Sequence, residues 1–203
     1  MASSQVHQFS DKEKAAIEEA MKEAQSFQAN NIKNAKASQD KLVLVSGAMK
    51  NLQSRALRLH KSHSWKGVFV AGPSETMATG VGAFVHEGTP WQGQLPMVVG
   101  SKGVVIYGHY DKALPQLGWL LAWDKPTHVD NGISKVYVEA GHLTKLMEME
   151  LAEIEKKLDE SRSISRYWDS ETGAAASAKI ENAADNMALV GATFDQFFKA
   201  SQS

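Results

Sequence analysis

Hydrophobic positions follow a period of two through the middle of this chain and a period near 3.6 towards both ends. Residues 104–110, 118–123 and 135–139 read as three strands joined by turn chemistry, with Pro115 in the first connection and Pro126, Asn131 and Gly132 in the second. Together they predict an antiparallel meander. Alternate side chains of a strand share a face, so Trp119, Leu121 and Trp123 point one way while Leu120 and Ala122 point the other. Both sets are apolar, which predicts a central strand covered on both sides. In the third strand Val136 and Val138 alternate with Lys135, Tyr137 and Glu139, so one of its faces is expected to meet water.

Upstream, residues 42–45 and 55–60 read as two strands paired with each other, and Gly80 and Gly82 precede a further strand over 83–87. Residues 88–102 form a loop carrying Pro90, Trp91 and Pro96, within which 97–99 pair briefly. Trp91 is either a loop anchor or an exposed recognition aromatic. At the N-terminal side, Ser10 and Glu13 make a capping-box pattern, and Ile17, Met21, Ala24 and Ala35 continue at helical spacing over residues 10–40, with Asn30 and Asn31 as a possible break. After the meander, Leu143, Met147, Leu151, Ile154 and Leu158 form the stripe of a helix over 143–161. Gly173 opens a small-residue joint over 173–177. Residues 178–200 read as a last helix, with Ile180, Ala184, Met187, Gly191, Phe194 and Phe198 on one side.

The fold class expected is therefore α+β: an antiparallel β-sandwich core of seven or eight strands, flanked by an N-terminal helix and two C-terminal helices. The domain reading is an N-terminal helical segment over 1–41, the sandwich over 42–141 and a C-terminal helical extension over 142–203.

Composition narrows the function classes. Twenty-two Lys and Arg against 23 Asp and Glu give a formal charge of −1, which offers no general attraction to phosphate backbones, so nucleic acid is not an expected partner. Seven histidines turn the net charge positive as pH falls through about 6, which favours anionic partners in mild acid. No cysteine is present, so disulfide and thiolate chemistry are excluded. The first residues lack a cationic start and an apolar block, and no apolar run reaches about 18 residues, so a cytoplasmic protein without a spanning helix is expected.

Catalytic signatures are missing as well. The chain has no G-x-S-x-G, H-E-x-x-H or phosphate-loop pattern, and the Gly80 and Gly82 pair leads into a strand where a dinucleotide site needs a helix. His60 and His63 lie on opposite faces of an extended strand, so no metal site, cofactor or catalytic residue is expected.

Several of these residues carry a resemblance to a known family. Ser62, His63, Trp65 and Gly67, then Gly82, Phe84 and His86, then Gly103 and Tyr107 through Trp119, Trp123 and Pro126 to Lys135 and Tyr137, resemble the plant jasmonate-induced protein family over about residues 42–141. That resemblance implies a small soluble β-sandwich stress protein, responding to wounding and herbivores without an assigned chemistry. By fold analogy, such sandwiches are also similar to the actinoporin and aegerolysin lipid-binding proteins.

Three function classes follow. The first is a non-enzymatic stress or defence protein that recognises a glycan or lipid head group through aromatic loops, with Trp91, His109, Tyr110, Asp111 and His128 as candidate ligand-binding residues. In the second, a membrane-active, pore-forming protein, the helix over 178–200 leaves the domain for a membrane surface and Phe194, Phe197 and Phe198 enter first. The third is an assembly protein that forms homo-oligomers through its helices.

Overall fold

The computed structural model describes residues 9–31, 42–78, 80–88, 90–91, 97–130 and 132–198; the side chains of residues 90, 91, 97, 98 and 129 lie outside the described part. Two sheets face each other. One carries β1 (Leu44–Asn51), β3 (Val68–Ala71), β5 (Gly80–Glu87), β11 (Ile164–Trp168), β12 (Ala174–Ala184) and β13 (Met187–Gln196), in the order β11-β12-β13-β1-β5-β3. The other carries β2 (Leu57–Lys66), β4 (Thr76–Met77), β8 (Ser101–His109), β9 (Leu117–Lys125) and β10 (Lys135–His142), in the order β10-β9-β8-β2-β4. A two-residue ladder of β6 (Pro90–Trp91) and β7 (Met97–Val98) stands apart. The antiparallel sandwich expected from the period-two patterning is the observed architecture.

The meander is as expected, with Tyr107 opposite Trp119, Gly103 opposite Trp123 and Leu121 opposite Val138. Trp119, Leu121 and Trp123 enter the core between the sheets, while Leu120 and Ala122 enter a second apolar cluster on the outer face. That outer cluster is closed by two helices, α2 (Leu143–Glu148) and α3 (Leu151–Asp159). They replace the single helix expected over 143–161. Met149 and Glu150 are extended, and the break lets Leu143 seat on Gly108 and Gly118, where an added Cβ would come within 2.6 and 3.0 Å of its methyl groups. The face of β10 expected to meet water is covered by α3. Glu139 is buried there, accepting hydrogen bonds from the Tyr137 hydroxyl at 2.5 Å and Lys157 Nζ at 3.1 Å.

The N-terminal helix is α1 (Asp11–Asn31), and its capping box is formed: Glu13 N donates to Ser10 Oγ at 3.2 Å and Ser10 N to Glu13 Oε1 at 3.4 Å. The remainder of the expected helix, 32–40, lies outside the described residues. Small residues bring α1 close to the sheet. Ala20 and Ala24 pack on Ala48, and Ser46 Oγ donates to the Ala24 carbonyl at 2.6 Å.

Two further expectations are corrected. Residues 42–45 and 55–60 do not pair: β1 lies between β13 and β5, and β2 belongs to the opposite sheet. The helix expected over 178–200 is absent, because residues 174–184 and 187–196 are the strands β12 and β13. Ala174, Ala176, Ala178 and Ile180, with Ala188, Val190, Ala192 and Phe194, face the core at period two. Alanine satisfies a helical stripe equally well, so the burial pattern across two neighbouring strands decides the matter. β13 runs antiparallel to β12 and parallel to β1, which seats the chain's last strand inside the sheet. Gly173 is a turn residue with φ of 72°. The sandwich thus continues past residue 141, with α2 and α3 as an insertion between β10 and β11.

Candidate functional site

The strand directions divide the candidate residues between the two ends of the sandwich. β8 ends and β9 begins at the base, which holds His109, Tyr110 and Asp111; β9 ends and β10 begins at the opposite mouth, which holds His128. Trp91 belongs to the mouth by its backbone, because Gly100, at the foot of the 88–100 loop, packs on the Lys125 carbonyl and Pro126. Its side chain lies outside the described residues.

At the base, His109 is buried and used structurally. Its Nδ1 accepts from Leu117 N at 3.2 Å, so Nε2 carries the proton and donates to Gln53 Oε1 at 2.7 Å. Burial, helped by the Arg55 charge, lowers its pKa to about 4. Asp111 does not orient it. The carboxylate holds Arg55, with Nη2 to Oδ1 at 2.5 Å and Nε to Oδ2 at 3.1 Å, while Arg55 also donates to the Ala113 carbonyl at 2.9 Å and the Pro115 carbonyl at 3.2 Å. These bonds to Arg55 hold Asp111 below the usual carboxylate range. The loop is folded around one guanidinium, leaving Tyr110 59% and Leu114 87% exposed.

The phenylalanines expected to enter a membrane behave differently from one another. Phe194 is fully buried beside Trp119, at 6.4 Å between ring centroids. Phe197 is half-buried and stacks on Trp168 at 6.5 Å. Phe198 alone is freely exposed, at 67%.

The mouth holds a cleft of about 420 Å³ between the β9–β10 connection of one sheet and the β12–β13 turn of the other. Lys125, Thr127 and His128 line one side, Asn182, Ala184 and Asp185 the other. Thr127 is fixed by Asp130, to which its hydroxyl donates at 2.6 Å and its N–H at 3.3 Å. Ser134 Oγ donates to Asn182 Oδ1 at 2.7 Å, tying the walls together. A register shift at Asn182 and Ala184 re-aims the end of β12 at that point. Asn186 anchors the turn by donating to the Leu42 carbonyl at 3.0 Å and accepting from Leu44 N at 2.8 Å.

Lys125, Asn182 and Asp185 were not candidates from the sequence. Lys125 was within reach, since it continues the inward parity of Trp119, Leu121 and Trp123. Asn182 and Asp185 were hidden inside a segment that reads as a helix.

No family model matches the chain. Among curated proteins, the jasmonate-induced protein homolog of Atriplex canescens is 26% identical over 197 residues, covering 96% of this chain and 98% of that one. The chain resembles a jasmonate-induced protein. The resemblance seen in residues 42–141 therefore extends over nearly the whole length, including the strands after residue 141. Among solved structures, the lipid binding protein Nakanori superposes with a TM-score of 0.66 at 21% identity, over 90% of this chain and 85% of that one, and so shares the fold. A lectin of Xerocomus chrysenteron superposes with a TM-score of 0.46 at 11% identity, over 76% of this chain and 99% of that one.

Proposed function

We propose that this protein is a non-enzymatic recognition module of stress or defence, which takes a glycan or lipid head group in the cleft at the mouth of its sandwich. The observation that carries the reading is the cleft itself, whose walls present an ammonium, an amide, an imidazole and a carboxylate from two sheets. Such groups match the hydroxyls and charges of a head group, and Trp91, the aromatic candidate from the sequence, is carried by β6. The name of the Atriplex relative supports the stress setting, and the fold shared with a lipid-binding protein supports recognition over catalysis. The way the polar groups are spent points the same way: His109 holds Gln53, Asp111 holds Arg55 and His86 is sealed in the core.

Glycan-array and liposome-panel binding by the parent, Trp91→Ala, Asn182→Ala and Tyr110→Ala proteins tests this. Loss of tenfold or more with the first two substitutions and retention with the third is expected. The reverse pattern moves the site to the base.

A second reading has an observation of its own: Tyr110, Leu114 and Phe198 all project from the base and offer apolar contact to a membrane surface. It needs no released helix. Among the described residues no helix is long and apolar enough to cross a membrane. Retained liposome binding by a Leu114→Asp, Phe198→Asp double variant would rule this reading out.

A further inference from the structure

Lys125 is the last residue of β9, in line by strand parity with the inward-facing Trp119, Leu121 and Trp123, and it lines the cleft at the mouth. The residue is 6% exposed. Among the described residues no hydrogen bond or ion pair takes its ammonium, and Asp185 across the cleft acts on it only at longer range. Burial pushes its pKa below the ordinary lysine value, and Asp185 opposes that shift. A cation that lines a cleft without a hydrogen bond or ion pair from the fold can pair with an anionic ligand there, and holding it in place beforehand lowers the cost of binding.

We infer that the cleft takes an acidic sugar, whose carboxylate pairs with the Lys125 ammonium while neighbouring hydroxyls pair with Asp185 and Asn182. This rests on the reading of the mouth as the binding site and names its ligand class. Asp185 and the nearby Asp130 disfavour a dianionic phosphate ester, whereas a monoanion balances Lys125 and leaves the Asp185 carboxylate to accept from hydroxyls.

Calorimetric titration of the full chain tests the inference with galacturonate and glucuronate oligosaccharides, their methyl esters, and phosphatidylcholine vesicles with and without phosphatidic acid. The acid sugars are expected to bind at least tenfold tighter than the esters. Lys125→Met is expected to abolish that preference, Lys125→Arg to restore part of it, and Asp185→Asn to weaken acid and ester alike. Lys125→Met is also expected to leave the thermal midpoint within a few degrees of the parent's, since the ammonium makes no hydrogen bond or ion pair that the fold would lose; a larger fall would show that the ammonium serves the fold and would overturn the inference. Equal binding of acid and ester, or binding of phosphatidic acid vesicles without the sugars, overturns it while leaving the mouth as a recognition site. Absence of binding to every glycan and vesicle overturns both readings.

Discussion

His86 and Ser101 join the two sheets through a 2.7 Å hydrogen bond between the imidazole Nδ1 and the seryl Oγ. His86 lies on β5 and Ser101 on β8, and Ser64 on β2 holds the other ring nitrogen at 2.8 Å. A neutral imidazole has one donor and one acceptor, and each hydroxyl can play either role, so the ring is satisfied without charge. Trp123 completes the group, donating from Nε1 to Ser101 Oγ at 3.1 Å.

Acid is expected to weaken this lock. Burial lowers the His86 pKa from 6.5 to about 3, and that of His109 to about 4. The unfolded chain therefore binds more protons than the folded one below pH 6.5, so the stability held at neutral pH is lost progressively as pH falls towards 4 and 3. At pH 5 the loss from His86 is about 2 kcal/mol. Urea unfolding between pH 7 and pH 5 measures it, in a window above that of carboxylates such as Glu13, whose pKa is lowered below its ordinary 4.5. A His86→Gln protein is expected to be less stable at pH 7 and to show a flatter dependence on pH.

Trp119 links β9 to the opposite sheet by donating from Nε1 to the carbonyls of Ala175 and Asp195, both at 3.1 Å. Trp119→Phe removes the donor and leaves both buried carbonyls short of a partner. A loss of about 1–3 kcal/mol is expected in equilibrium unfolding.

Phe194 and Phe198 separate the strand from the helix expected over the same residues. Phe194→Ala opens a cavity beside Trp119 and is expected to cost about 3–5 kcal/mol. Phe198→Ala, at an exposed position, is expected to stay within about 0.5 kcal/mol. Comparable effects from both substitutions would contradict the seating of β13.

Gly191 permits the close approach of α1 to β13. A Cβ there would come within 2.8 Å of the Ile17 carbonyl and of the Met21 side chain. Gly191→Val is expected to lift α1, costing about 1–3 kcal/mol by overpacking. Hydrogen exchange should show protection lost first over residues 11–31, with the meander of β8, β9 and β10 still protected.

Local pattern was sufficient wherever the deciding neighbours were close in sequence. The meander, the two-sided burial of β9 and the Ser10 and Glu13 capping box were legible, because strand parity and cap chemistry involve only a few consecutive residues. His128, named as a candidate from its place in the loop between two strands, lies on the wall of the cleft. Partners distant in the chain were not legible. Whether the alanine-rich residues 174–196 form a helix or strands depends on β1, which lies alongside β13 across more than a hundred residues of sequence, and on α1, which covers the small residues of the outer face. The same holds for the site. Lys125, Asn182 and Asp185 become one cleft only when the ends of two sheets are brought together, and His109 and Asp111, two positions apart in sequence, are drawn to different partners. Period and composition specify which faces a segment can bury. Which segment covers each face, and so which polar groups are left to meet a ligand, is decided by long-range packing alone.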